Sequence, residues 1–173
     1  MRYVSRTQLA ESPGALELAQ LASDPTRPVL EAALVDAVLR GADASGWEVE
    51  DVDHALAAVA RIDEAVEDAD GYINGFLSRA GYRVPLSPVP RIVTGWSRDI
   101  ARYRLHKDRI TDERTDPVAR AYRDAERLLR LLVEGKFSLG INDPESPVHG
   151  GGMPRVQADE RVWSRENLKD FAS

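Results

Sequence analysis

The chain has no cysteine, only three histidines and no long apolar run, and each shortage removes a class of function. Without cysteine there are no disulfides, no thiolate metal site and no thiol nucleophile, and cysteine usage gives no clue to the redox compartment. His54, His106 and His149 stand far apart, none with a second histidine at ligand spacing, so a metal centre has no local support. Nothing approaches the roughly 18 apolar residues of a membrane span, and the opening MRYVSRTQLAESPG lacks the apolar core of a secretory signal. No segment of useful length alternates with period two, so strands find no support either. The expectation is a protein without a membrane segment, made and assembled inside the cell.

What is present is helical period, almost from end to end. Ser5 or Thr7 suits the cap of a short helix ending near Ser12, and ALELAQLA supplies a second before Ser23-Asp24-Pro25. Pro28 suits the first turn of a third, with Val29, Leu30, Ala33, Leu34, Ala37 and Val38 as its stripe and Gly41 as its stop. From Val49 the positions Val52, Leu56, Val59, Ile62, Val66, Ala69, Ile73, Phe76, Leu77 and Ala80 keep helical spacing for some thirty residues. The opposite face carries Asp51, Asp53, Asp63, Glu64, Glu67, Asp68 and Asp70, which predicts an acidic, solvated outside. Gly71 and Gly75 are the places where this helix is expected to bend or admit another backbone.

RVPLSPVPR ends that helix, because proline removes donors and holds the preceding residue extended. A further helix is predicted from near Val89 to about Lys107, burying Ile92, Val93, Trp96, Ile100, Tyr103 and Leu105. A last one follows Asp116-Pro117 and buries Val118, Tyr122, Ala125, Leu128, Leu129, Leu132 and Val133 before Gly135. The fold class is therefore mainly α: a helical bundle over residues 1–140 with one long helix, followed by an extended C-terminal arm over 141–173. The arm is rich in proline and glycine and poor in apolar residues, yet it ends in Val162, Trp163, Leu168 and Phe171. Such groups suit docking, either back on the chain's own helices or on a partner.

Charge is uneven. Residues 1–90 hold seven basic and fifteen acidic side chains, residues 91–136 hold twelve and eight, and residues 137–173 hold four and six. RDIARYRLHKDR, residues 98–109, packs four arginines, a lysine and a histidine into twelve positions. On a helix Arg98, Arg102 and Arg109 advance along one strip, opposite Trp96, Ile100 and Tyr103. Asp99 with Arg102, and Arg104 with Asp108, have the spacing of intrahelical pairs. The run reads as a solvated or ion-paired face, as a protein interface meeting acidic surface, or as a DNA contact. Interleaved anions and a formal charge of −6 argue against a dedicated nucleic-acid binder.

Catalytic motifs do not assemble. HGGG at 149–152 imitates an oxyanion-hole string, but no G-x-S-x-G accompanies it, and GWSRD at 95–99 lacks the closing glycine. Asp68, Asp70 and Gly71 fit part of a calcium loop, yet its first and twelfth positions are Val66 and Leu77. Three glycines at 150–152 open no helix, as a phosphate cradle requires. Neither a catalytic residue, a metal ligand nor a cofactor is expected.

Four ordered segments nonetheless resemble one family: DADGYINGFLSRAGYRVPLSPVP, SRDIARYRLHKDRITDE, VARAYRDAERLLRLLVEGKFSLGI and RVWSRENLKDF. Together they are similar to the Mu-like phage neck, or head-tail connector, proteins. Asp70, Gly71 and Tyr72 match one motif of that family, residues 85–90 its proline loop, and residues 99–105 its D-I-A-R-Y-R-L helix. Tyr122, Asp124, Ala125, Gly135, Lys136, Leu139 and Gly140 match a fourth, and Ser164, Arg165, Leu168 and Phe171 the last. Two departures stand out: residues 25–50 look like an insertion, and Trp163 replaces a phenylalanine.

The resemblance implies a structural virion protein in the phage neck, assembled in the host cytoplasm. It would form a homo-oligomeric ring of twelve copies under the portal protein and meet the next neck or tail-terminator component. Genome DNA would pass through the channel without specific binding. Trp163, Arg165, Leu168 and Phe171 would anchor the arm on the portal or a neighbour. Arg98, Arg102 and Arg109 are then expected to face Asp63, Glu67 and Asp70 of the long helix in the adjacent copy. The alternative is a small helical DNA-binding or regulatory protein that uses the basic helix at 91–109.

Overall fold

The fold comes from a computed structural model, which describes residues 2–141. Six α-helices follow one another: α1 Arg6–Leu9, α2 Ala15–Ala22, α3 Ala32–Arg40, α4 Val49–Arg79, α5 Arg91–His106 and α6 Pro117–Val133. A π-type turn at Ala10–Gly14 joins α1 to α2, and a 3-10 turn at Lys107–Arg109 extends α5. No strand occurs among the described residues, so the protein is mainly α as its periodicity predicts.

Local chemistry sets the helix ends. Ser5 and Gln8 form a reciprocal capping box: Gln8 N donates to Ser5 Oγ at 3.2 Å and Ser5 N to Gln8 Oε1 at 2.9 Å. Asp116 Oδ1 accepts from Val118 N at 2.7 Å and Ala119 N at 3.1 Å, with Pro117 in the first turn. Gly41, at φ +67°, lets the chain reverse after α3, and Ala42 N returns to Ala37 O at 2.8 Å.

Helix α3 starts later than its sequence stripe suggests, at Ala32 rather than at Pro28. Leu30 N donates to Ser23 Oγ at 3.1 Å, which holds the segment across the end of α2 instead of in a helical turn. Leu30 is buried in consequence, and Val29 is left 61% exposed.

Helix α4 is the axis. Its Ala55, Ala58, Val59, Ile62, Val66, Ala69, Ile73 and Leu77 are buried in a single core cluster, each large one contributing about 1.5–3 kcal/mol. The N-terminal half of α4 lies against α2 and α3. There Arg61 Nε donates to Ala22 O at 2.8 Å, and His54 Nε2 accepts from Asp24 N at 3.1 Å. The C-terminal half lies against α5 and α6, and Trp96 of α5 meets Phe137 beyond α6 with ring centroids 6.2 Å apart. The helix is continuous through Gly71 and Gly75, and a methyl group at either would meet nothing within 4 Å. The close backbone approach expected there does not occur among the described residues. Leu56 and Ile92, both placed in buried stripes by periodicity, are 52% and 37% exposed, because no element among the described residues crosses their side of α4 and α5.

Candidate functional site

The charged residues that the sequence singles out are sorted by the fold into bonded and open sets. Asp63 and Asp70, expected on the solvated face of the long helix, are both buried. The reason is the N-terminal segment, which crosses that face. Arg2 and Arg6 both pair with Asp63, the latter through Nε at 3.2 Å from each oxygen, and Arg2 Nη2 reaches Glu67 at 2.9 Å. Burial alone would raise the Asp63 carboxyl, but the bonds from Arg6 and Arg2 outweigh it and hold the group below its ordinary range.

Asp70 is a junction of three separate stretches. Its Oδ2 accepts from Tyr3 N at 2.9 Å and its Oδ1 from Ser97 Oγ of α5 at 2.6 Å. Tyr3 continues the network: its hydroxyl donates to Asn74 Oδ1 and accepts from Leu86 N at 3.2 Å. No cation bonds Asp70 among the described residues, so burial outweighs its two donors and the carboxyl is raised. Tyr72, two residues along on another face of α4, donates to Glu126 Oε1 of α6 at 2.9 Å, and burial followed by that carboxylate pushes its phenol well above the usual range.

The basic run on α5 divides similarly. Arg102 Nη2 donates to Glu17 Oε2 at 2.8 Å, and His106 Nε2 lies 2.9 Å from Glu17 Oε1, tying α5 to α2. Burial would raise Glu17, yet Arg102 and His106 together lower it. Arg104 pairs with Asp68 at 2.6 Å. Neither Arg102 nor Arg104 takes the intrahelical partner that its spacing suggested. Arg98 is half-buried against Asp99 at 3.2 Å, and Arg109 is exposed. Thus Asp63, Glu67, Asp70 and Arg102, expected between copies, are partnered within one chain, while Arg98 and Arg109 stand at its surface. Trp163, Arg165, Leu168 and Phe171 lie outside the described residues.

Two open sets escaped sequence reasoning. The first is on α6, where Arg120, Arg123, Arg127 and Arg130 are all exposed and recur at three- and four-residue steps on one strip. Counting arginines at helical period would have found it. The second is on the N-terminal half of α4, where Val49, Asp53, Leu56, Ala57, Ala60 and Glu64 share one exposed face. Only the absence of a covering element among the described residues reveals that face, and sequence carries no signal of it. Beside these, Tyr103 and Tyr122 stack at 4.2 Å, with Tyr103 Oη donating to Glu113 Oε1 at 2.8 Å. No group of three histidines or carboxylates suited to a metal ion occurs among the described residues. No helix there is long and apolar enough to cross a membrane.

Residues 3–158 match the family model described as Bacteriophage Mu, Gp36. The chain is also similar to the Mu-like prophage FluMu protein gp36 of Haemophilus influenzae, with 33% identity over 112 residues, covering 65% of this chain and 76% of that one. No solved structure matches.

Proposed function

The chain belongs to the bacteriophage Mu Gp36 family and is a Mu-like phage protein, and from that premise we propose that it is a non-enzymatic head-tail connector of the virion neck. It forms a ring under the portal protein, offers its far face to the next neck or tail component, and lets the genome pass without specific binding. Trp163, Arg165, Leu168 and Phe171 anchor the C-terminal arm on the portal or a neighbouring copy.

The observation that carries the reading is the presence of unlike open faces on one bundle, acidic and apolar on α4 and basic on α6. A ring closes through heterologous contacts, which require two different, complementary faces per subunit. The groups with unusual protonation support a structural role as well, since Asp70 and Tyr72 spend their polar atoms on Tyr3, Ser97 and Glu126. Pairing of Arg102 with Glu17 and of Arg104 with Asp68 speaks against the DNA-binding alternative, whose recognition helix would need those cations free.

The test is native mass spectrometry with negative-stain imaging of the full chain, alone and mixed with its portal. A ring, or a monomer that becomes a ring on the portal, is expected. A stable monomer that ignores the portal and binds duplex DNA with steep salt dependence overturns the reading.

A further inference from the structure

The two open faces found above are complementary in more than sign. On α4, Val49 is 75% and Leu56 52% exposed, and between and beside them stand Ala57 and Ala60, which leave room for a close neighbour. Asp53 and Glu64 stand on the same face as this apolar strip, and neither makes an ion pair among the described residues. From 48 to 60 the chain has no lysine or arginine at all. The strip from 49 to 64 runs about 22 Å.

On α6, the arginine strip from 120 to 130 runs about 15 Å. Arg120 and Arg123 bond backbone carbonyls of residues 113–115, and neither makes an ion pair among the described residues. Arg127 is 72% exposed and only loosely paired with Asp124 at 3.6 Å, and Arg130 is 64% exposed beside Glu126. Arginine suits such a face because its stem covers apolar side chains while its guanidinium reaches carboxylates beyond them.

Within one molecule the two faces cannot meet. The α4 face belongs to the half of the axis that α2 and α3 line, whereas Tyr72 bonded to Glu126 fixes α6 along the other half. We propose that the α6 arginine strip of one copy docks on the Val49–Asp53–Leu56–Glu64 face of α4 in a second copy. The inference rests on the ring reading above and names the surfaces by which adjacent subunits join. Arginine stems lie over Leu56 and Val49, with Arg127 and its neighbours against Asp53 and Glu64. Because the two surfaces differ, each copy uses one with each neighbour, and the contact propagates around a ring. Asp124 and Glu126, interleaved with the arginines, favour a protein partner over the phosphate backbone of DNA.

The experiment is charge exchange in the full chain, with assembly followed by analytical ultracentrifugation and native mass spectrometry, alone and on the portal. Arg127→Glu and Asp53→Arg each place like charges across the contact, and each is expected to raise the concentration needed for assembly about tenfold. The double variant restores opposite charges and is expected to recover most of that loss. All these positions are exposed, so circular dichroism should show unchanged helix content. Leu56→Asp serves as an independent second variant and should also weaken assembly. Rings that form equally well in every variant overturn the proposed surface and leave the connector reading standing. Two weakened single variants with no recovery in the double variant also overturn it. Failure of the unmodified chain to assemble, alone or on the portal, overturns both. Loss of duplex DNA binding in Arg127→Glu, with assembly intact, would reassign the strip to DNA.

Discussion

The two halves of α4 are built from the same residue types and behave oppositely. Between 63 and 70, Asp63, Glu67, Asp68 and Asp70 all bond side chains or backbone brought from elsewhere in the chain: Arg2, Arg6, Arg104, Tyr3 and Ser97. Between 48 and 56, Glu48, Asp51 and Asp53 have no such partner, Glu50 meets only Arg27 at 3.5 Å, and Asp53 shares its face with Val49 and Leu56. A carboxylate on a helix is thus neither glue nor surface by itself. What decides is whether another segment crosses its face: the N-terminal segment crosses the acidic face of one half, whereas on the other half α2 and α3 cover one side and nothing described covers the Val49–Leu56 face.

The largest test of this contrast is Asp70→Ala, which leaves Tyr3 N and Ser97 Oγ without acceptors in a buried site. A loss of about 3 kcal/mol is expected, read as a fall of roughly 6–12 °C in thermal midpoint. Asp53→Ala, on the open half, should stay within about 0.5 kcal/mol of the unmodified chain, and equal effects at the two sites would erase the distinction. Acid titration sharpens it. Asp63 is held below its ordinary value, so its stabilisation is complete above the unfolded value and is lost as pH falls through the lowered folded one. Asp63→Asn should therefore melt earlier than the unmodified chain near about pH 6 and begin to converge with it only as pH falls below the ordinary carboxylate range. Asp70 has the reverse sign: its carboxyl is raised, so this group favours the fold more as pH falls through its folded value. Smallest is Arg104→Ala, which removes an exposed pair with Asp68. It should cost about 0.5 kcal/mol or less at low salt and nothing measurable at about 1 M.

Much of the fold was legible in the sequence because helical period and caps are local. Asp116-Pro117 starts α6, Gly41 ends α3, and the apolar series from Val52 to Leu77 lies along one continuous helix. Period assigns residues to a face, but it cannot say what covers that face. Asp63 and Asp70 were read as solvated because Tyr3 and Arg2 are more than sixty residues away from them, and Leu56 was read as buried because nothing local marks the missing neighbour. The candidate site suffered most from this. Arg102 finds Glu17 at a separation of 85 residues, a contact that no spacing rule reaches, so two of the cations singled out on α5, Arg102 and Arg104, are bonded within the chain while the arginine strip of α6 stays exposed.

The Asp70 junction also fixes an order of events during synthesis. Tyr3 is made first, its acceptor 67 residues later, and Ser97 a further 27 residues after that. At translation speeds of about 5–20 residues per second, the N-terminal segment waits several seconds beside a nascent chain that does not yet contain its binding place. The carboxylate in turn waits for α5 before it leaves water. Tyr3 therefore cannot take its final position until α5 has been made, although it precedes every helix that it joins.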